Sequence, residues 1–174
     1  SVVTTEQPDG SWNVAALGLH AGDPVTAQTW GRTRTRRNFE RTGTGVVQFV
    51  TDPVVFTDAT LSLWDVSEPV LEDAAAWVRV SVDSLGTGTE AGTDWEEWAL
   101  EPVEVEVRDR SVPRIDRGFN AVVEATVAAS RLDVAAYDDE TLRERLAYCS
   151  AVVDRCGGER DRQAMDRIRE MADW

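Results

Sequence analysis

The chain changes its periodicity partway along, and that change limits the folds open to it. Up to Val107 it reads as short runs of alternating or continuous apolar residues, broken by turn signals. From Ala121 onward the apolar residues recur at helical spacing, and glycine pairs appear only at a helix end. Strand-rich sequence followed by helix-rich sequence points to a β-rich α+β chain and leaves several architectures open. Ser1 to Thr5, Trp12 to His20, Val25 to Trp30 and Val46 to Val50 are the clearest strands. Gln7-Pro8-Asp9-Gly10 is a turn, with Pro second and Gly fourth. Asp52-Pro53 opens a short helix, Asp capping and Pro in the first position, with Phe56 and Ala59 at helical spacing. Trp77 to Leu85 returns to period two, Gly86 to Thr93 reads as a glycine-rich loop, and Trp95 to Val107 as one long strand or a pair.

In the second part, Ala121 to Arg131 is alanine-rich and reads as a helix. A second helix begins at Asp138-Asp139-Glu140, an acidic first turn that suits the helix dipole. Its apolar stripe is Leu142, Leu146, Cys149, Val153 and Cys156, and Gly157-Gly158 ends it. A third runs from about Glu159 to Ala172 with Ala164, Met165, Ile168 and Met171 inward. One domain is expected over 1–174, with a strand-rich core over 1–116 and a helical part over 117–174.

Five arginines fall within ten positions: Arg32, Arg34, Arg36, Arg37 and Arg41. The whole chain carries a formal net charge of -14, so this is a cationic island on an acidic molecule. Like charges crowded together are unfavourable unless an anion sits among them. Thr33, Thr35 and Asn38 are interleaved with them, so the segment offers many donors to one small anion. Phosphate suits it, because charge-assisted bidentate bonds are the strong ones. The alternative is a charge strip neutralised by acidic neighbours or by a second subunit.

All 18 basic residues are arginine, against 32 acidic ones. This composition fits a salt-loving archaeon, since at roughly 1 M salt the Debye length falls to about 3 Å and surface carboxylates stop repelling one another. So acidic a surface makes nucleic acid an unexpected partner. No apolar run is long enough to span a membrane, and no leader pattern precedes the first strand, so a cytoplasmic protein is expected. His20 is the sole histidine, and with Cys149 and Cys156 it makes no zinc pattern. The two cysteines, seven apart on one helix, lie about 10.5 Å apart along it and are too distant for a disulfide.

Four segments together resemble a mainly archaeal family, domain of unknown function 447. They are Val3-Thr4-Thr5 with Asp9-Gly10 and Trp12 to Gly18; Gly31-Arg32-Thr33-Arg34-Thr35 with Asn38; Val46 to Asp52 with Phe56; and Asn120 to Val127 with Ser130-Arg131. That family is similar to flavin reductase-like and pyridoxamine-phosphate-oxidase-like proteins. The resemblance implies an FMN-binding split β-barrel of Greek-key type with a C-terminal helical hairpin, built as a homodimer with the flavin at the subunit interface. It further implies that Thr33, Arg34, Thr35 and Asn38 hold the FMN phosphate. Asn13 and Ala15 would line the flavin ring, and Gln48 would reach the phosphate or ribityl chain. The chain departs from the family pattern at Ala16, Thr33 and Gln48, where proline, serine and asparagine are expected.

An FMN-dependent oxidoreductase of unknown substrate is the leading reading, with no catalytic residue and no metal site assigned. A flavin-free split-barrel dimer serving as a binding module stays open, as does another phosphorylated cofactor, F420 or pyridoxal phosphate. Glu124 and Arg131, seven apart, read as structural ion-pairing groups on one helical face. The tryptophans read mainly as core or interface residues.

Overall fold

The structure is a computed structural model, and it describes residues 1–110, 112 and 115–174. The chain divides into two compact units, residues 1–51 with 64–110 and residues 52–63 with 111–174.

The first unit is one antiparallel sheet of eight strands. These are β1 (Val2–Glu6), β2 (Trp12–Ala16), β3 (Leu19–His20), β4 (Val25–Trp30), β5 (Thr44–Val50), β6 (Trp64–Val66), β7 (Ala74–Glu90) and β8 (Thr93–Val107). Their order is β3-β4-β8-β7-β5-β1-β2-β6. Val3 of β1, Ala27 of β4, Val47 of β5, Val80 and Val82 of β7, and Trp98 and Leu100 of β8 meet in a single core. Side chains from five strands can share one core only if the sheet curls around it. This is the split barrel, a β-rich α+β architecture. Helix α1 (Arg34–Thr42) joins β4 to β5 and sends Phe39 into that core, where it meets Trp98 edge-on with ring centroids 5.4 Å apart.

Two strand expectations are corrected. Trp12 to His20 is not one strand. It breaks at Leu17-Gly18, with Leu17 in the core, and β2 and β3 lie near opposite edges of the sheet. Gly86 to Thr93 is not a loop. β7 and β8 form a long hairpin whose turn is Ala91-Gly92, both with positive φ, as a tight two-residue turn requires. Gly88 sits inside β7 because the Trp95 indole lies across it; an added Cβ would come within 2.5 Å of that ring. Of the glycines that mimic a loop in sequence, Gly88 makes room for a cross-strand tryptophan and Gly92 forms the turn.

The second unit is helical: α2 (Pro53–Leu61), α3 (Arg117–Ala129), α4 (Asp139–Cys156) and α5 (Glu159–Met171). Asp52 caps α2 through a 2.8 Å bond from the Val54 amide, and Pro53 opens the helix as the sequence implied. Val122, Leu146, Val153, Met165 and Ile168 are fully buried in its core. Thr57 of α2 and Thr126 of α3 share a buried hydroxyl–hydroxyl bond of 3.2 Å. Gly157-Gly158 joins α4 to α5, giving the expected C-terminal hairpin. Cys149 is buried, and burial chiefly, with the Glu124 carboxylate second, pushes its thiol pKa up. Cys156, expected on the same stripe, is exposed instead, its thiol donating to the Val152 carbonyl. Arg131 lies past the end of α3 and stacks over Tyr137, 5.0 Å from the ring centre, so it shares no helical face with Glu124. No described helix is long and apolar enough to cross a membrane.

Candidate functional site

The arginine-rich segment folds into the turn after β4 and the start of α1. Thr33 is the helix cap: its Oγ1 accepts from the Arg36 amide at 3.2 Å. The cap leaves the first-turn amides of Arg34 and Thr35 without a partner inside the helix. That turn contains no acidic residue, although the dipole favours one. It contains Arg34, Arg36 and Arg37 instead. Charge of the wrong sign at a helix start needs compensation from outside the helix.

Two of these arginines find partial compensation within the protein. Arg36 is tied down. Its Nε lies 2.9 Å from Glu96 Oε2 and 3.1 Å from Glu40 Oε1, with side-chain exposures of 15% for Arg36 and 8% for Glu96. Glu96 Oε1 also accepts from the Ser84 hydroxyl at 2.7 Å. Losing one member of so buried a pair would strand a charge, so Arg36 has a structural task. Arg34 is held more loosely. Its Nη1 spans both oxygens of Asp65 at 3.0 and 3.1 Å, with exposures of 33% and 44%. Arg41 donates to the Glu6 carbonyl. Arg32 and Arg37 are exposed and make no ion pair among the described residues.

Beneath the helix start lies a buried polar cluster. Asn13 Nδ2 donates to Thr35 Oγ1 at 3.4 Å, and Asn38 Nδ2 donates to Thr5 Oγ1 at 3.0 Å. Thr5 and Asn13 are directly opposite on β1 and β2, and all four residues are buried. The sequence reading gave Thr33, Arg34, Thr35 and Asn38 to a phosphate and Asn13 to a flavin ring; the structure brings these five to one place. Ala15 lies two residues beyond Asn13 on β2, on the same face, half-buried.

Gln48 is not brought to this cluster. It faces the other side of the sheet with Thr4, fully buried. Its Nε2 donates to Thr4 Oγ1 at 3.0 Å and to the Pro69 carbonyl at 3.1 Å, and its Oε1 accepts from the Leu71 amide at 2.7 Å. Those bonds pin the segment before β7. Asp65, Gln7 and Thr5 were missed in the sequence. Asp65 sits on the three-residue strand β6, across from Asn13, and Gln7 Nε2 donates to its Oδ1 at 3.0 Å. The one signal for β6 is the acidic residue between two apolar ones in Trp64-Asp65-Val66, too short a pattern to read alone.

The donor set suits a phosphate monoester: a guanidinium, threonine hydroxyls and helix-start amides. No group of three or more metal-binding side chains gathers among the described residues. Comparison with known proteins adds the following. An FMN-bound protein of the DUF447 family from Methanosarcina mazei is similar over 98% of this chain and 92% of its own, with 24% identity and a TM-score of 0.79. The flavin reductase of styrene monooxygenase from Pseudomonas putida S12 matches over 61% of this chain and 76% of its own, at 15% identity and TM-score 0.44. Flavoredoxin from Methanosarcina acetivorans matches over 64% and 69%, at 12% identity and TM-score 0.47. The family model "Protein of unknown function (DUF447) N-terminal domain" matches residues 1–109, and its companion "Protein of unknown function (DUF447)" matches residues 116–170. The chain therefore belongs to the DUF447 family.

Proposed function

We propose that this protein binds FMN and that the start of α1 grips its phosphate. The observation that carries this reading is the helix start itself: a threonine cap, unpaired amides and arginines where a helix ordinarily places carboxylates. The similar Methanosarcina mazei protein is FMN-bound, which supports the choice of flavin over other phosphorylated cofactors. Thr33, Arg34 and Thr35 would hold the phosphate. Asn13 and Asn38 would set the geometry of Thr35 and of the helix from below. Ala15, on the same strand face as Asn13, would give a flat ring close access to the backbone. Bound FMN supplies hydride or single-electron transfer, and on that ground we read the protein as a flavin-dependent oxidoreductase. The chain's own part is to bind and orient.

We further infer a homodimer. Beyond Leu100, β8 has lost its β4 partner and pairs only with β7. Along that half, Val103, Val105 and Val107 alternate with carboxylates and are 66%, 66% and 53% exposed. An apolar row beside an open strand edge is costly in water and is well suited to burial against a second copy. The lysine-free, acidic composition supports a cytoplasm of high salt as its setting.

Purified in molar KCl and titrated with FMN, the protein is expected to quench flavin fluorescence to a stoichiometric end point and to turn yellow. Failure to retain or quench FMN would leave the split barrel as a flavin-free binding module. Tight capture of F420 or pyridoxal phosphate in place of FMN would reassign the cofactor while keeping the phosphate site.

A further inference from the structure

Asp65 stands among the donors that a phosphate would use. It lies directly across from Asn13 in the β2–β6 ladder. Residues so paired share a face, with Cβ atoms about 4.5–5.5 Å apart. Asn13 in turn touches Thr35, so Asp65 neighbours the buried end of the proposed grip. Its two oxygens are bridged by one Arg34 nitrogen, and Gln7 donates to one of them. A carboxylate is the wrong charge to place beside a bound dianion. It is, however, a fair copy of two phosphate oxygens.

We propose that Asp65 is an internal stand-in for the ligand phosphate: it holds Arg34 in the absence of ligand and surrenders it on binding. The inference rests on the reading of the α1 start as a phosphate grip. The contrast with Arg36 favours it. The Arg36–Glu96 pair is buried and further bonded to Ser84, so it cannot open cheaply. The Arg34–Asp65 pair is substantially exposed, and exposed pairs are weak enough to exchange partners. Gln7, already bonded to the carboxylate, would keep Asp65 hydrogen-bonded after Arg34 has left. Two consequences follow for the same site. Asp65 lowers affinity for a dianion by competing for Arg34 and by repelling the ligand. Salt screens that repulsion, so Asp65 makes binding more tolerant of high salt than an arginine–phosphate contact alone would be.

The test is FMN titration by flavin fluorescence for the unaltered protein, Asp65→Asn and Asp65→Ser, each in dilute buffer and in molar KCl, with inorganic phosphate as competitor. Both variants are expected to bind FMN about tenfold more tightly in dilute buffer, with the gain shrinking in molar KCl. Phosphate should compete at correspondingly lower concentration. Two variants and a melting curve for each separate a binding effect from a folding defect. Unchanged or weaker FMN affinity in both folded variants overturns the proposal, because Asp65 would then orient Arg34 rather than rival the ligand. Failure of the phosphate grip itself reads differently: the unaltered protein would bind riboflavin as tightly as FMN.

Discussion

Helices α1 and α4 begin in opposite ways. α4 is capped by Asp138, which accepts from the Thr141 amide at 3.0 Å, and carries Asp139 and Glu140 in its first turn. α5 likewise opens with Glu159 and Asp161, and Asp161 accepts from the Gly158 amide at 2.8 Å. In both, the chain supplies the negative charge that the helix dipole favours. α1 opens with a neutral cap and three arginines. The helical unit caps these helix starts with its own carboxylates, whereas the α1 start of the barrel unit draws its negative charge from Asp65, Glu40 and Glu96. In a protein of net charge -14, carboxylates were abundant for that purpose, so their absence from this turn is informative.

Four substitutions sharpen or break that contrast, from the largest effect down. Phe39→Ala removes the side chain that seats α1 in the barrel core, and should cost about 3–5 kcal/mol by denaturant unfolding. FMN binding should fall with it, since the helix start would lose its mount. Arg34→Ala should lower FMN affinity about tenfold to a hundredfold, as for a lost charge-assisted bond. The melting temperature should barely move, because the Asp65 pair is exposed. An undiminished affinity in this variant would remove Arg34 from the site. Thr33→Ala deletes the α1 cap and should cost about 1 kcal/mol of stability, with a matching loss of FMN affinity. A stability loss with affinity intact would reduce Thr33 to a cap alone.

The smallest effect belongs to α4. The Thr141 side chain first, and its amide second, hold the Asp138 carboxyl below its usual pKa. A carboxyl depressed on folding adds stability above its unfolded pKa and loses it as pH falls through the depressed value. Asp138→Asn keeps the cap without the titration. Acid unfolding of the variant should therefore lack the small component that the unaltered protein shows at low pH, while FMN affinity stays the same. A change in FMN affinity here would contradict the separation of the two kinds of helix start.

Much of the candidate site stood out in the sequence because its signal is chemical as well as periodic. Arginines alternating with hydroxyls against an acidic background stand out in any window, and a family resemblance pointed to the same segment. The strand Val25–Trp30, the run Val46 to Val50 and the Asp52-Pro53 helix start were readable from local propensity, although β5 begins earlier, at Thr44. What was not readable depends on distant partners. The β7–β8 hairpin hid behind glycines, of which Gly88 answers to Trp95 and Gly92 to the turn. Asp65 was invisible because β6 is three residues long and exists through its pairing with β2. Gln48 sits on the expected strand, yet the face it presents is set by register, and its amide serves Thr4, Pro69 and Leu71. Arg36 looked equivalent to Arg34, and Glu96, sixty residues on, makes them different.

Binding of FMN compared with riboflavin tests the central claim most directly, since the two ligands differ only in the phosphate. If the start of α1 holds that group, FMN should bind at least a hundredfold more tightly in molar KCl, as expected when several charge-assisted bonds depend on one dianion. Most of that preference should disappear in Arg34→Ala. Equal affinity for the two flavins in the unaltered protein would mean that α1 grips no phosphate, and the account given for its arginines would be wrong.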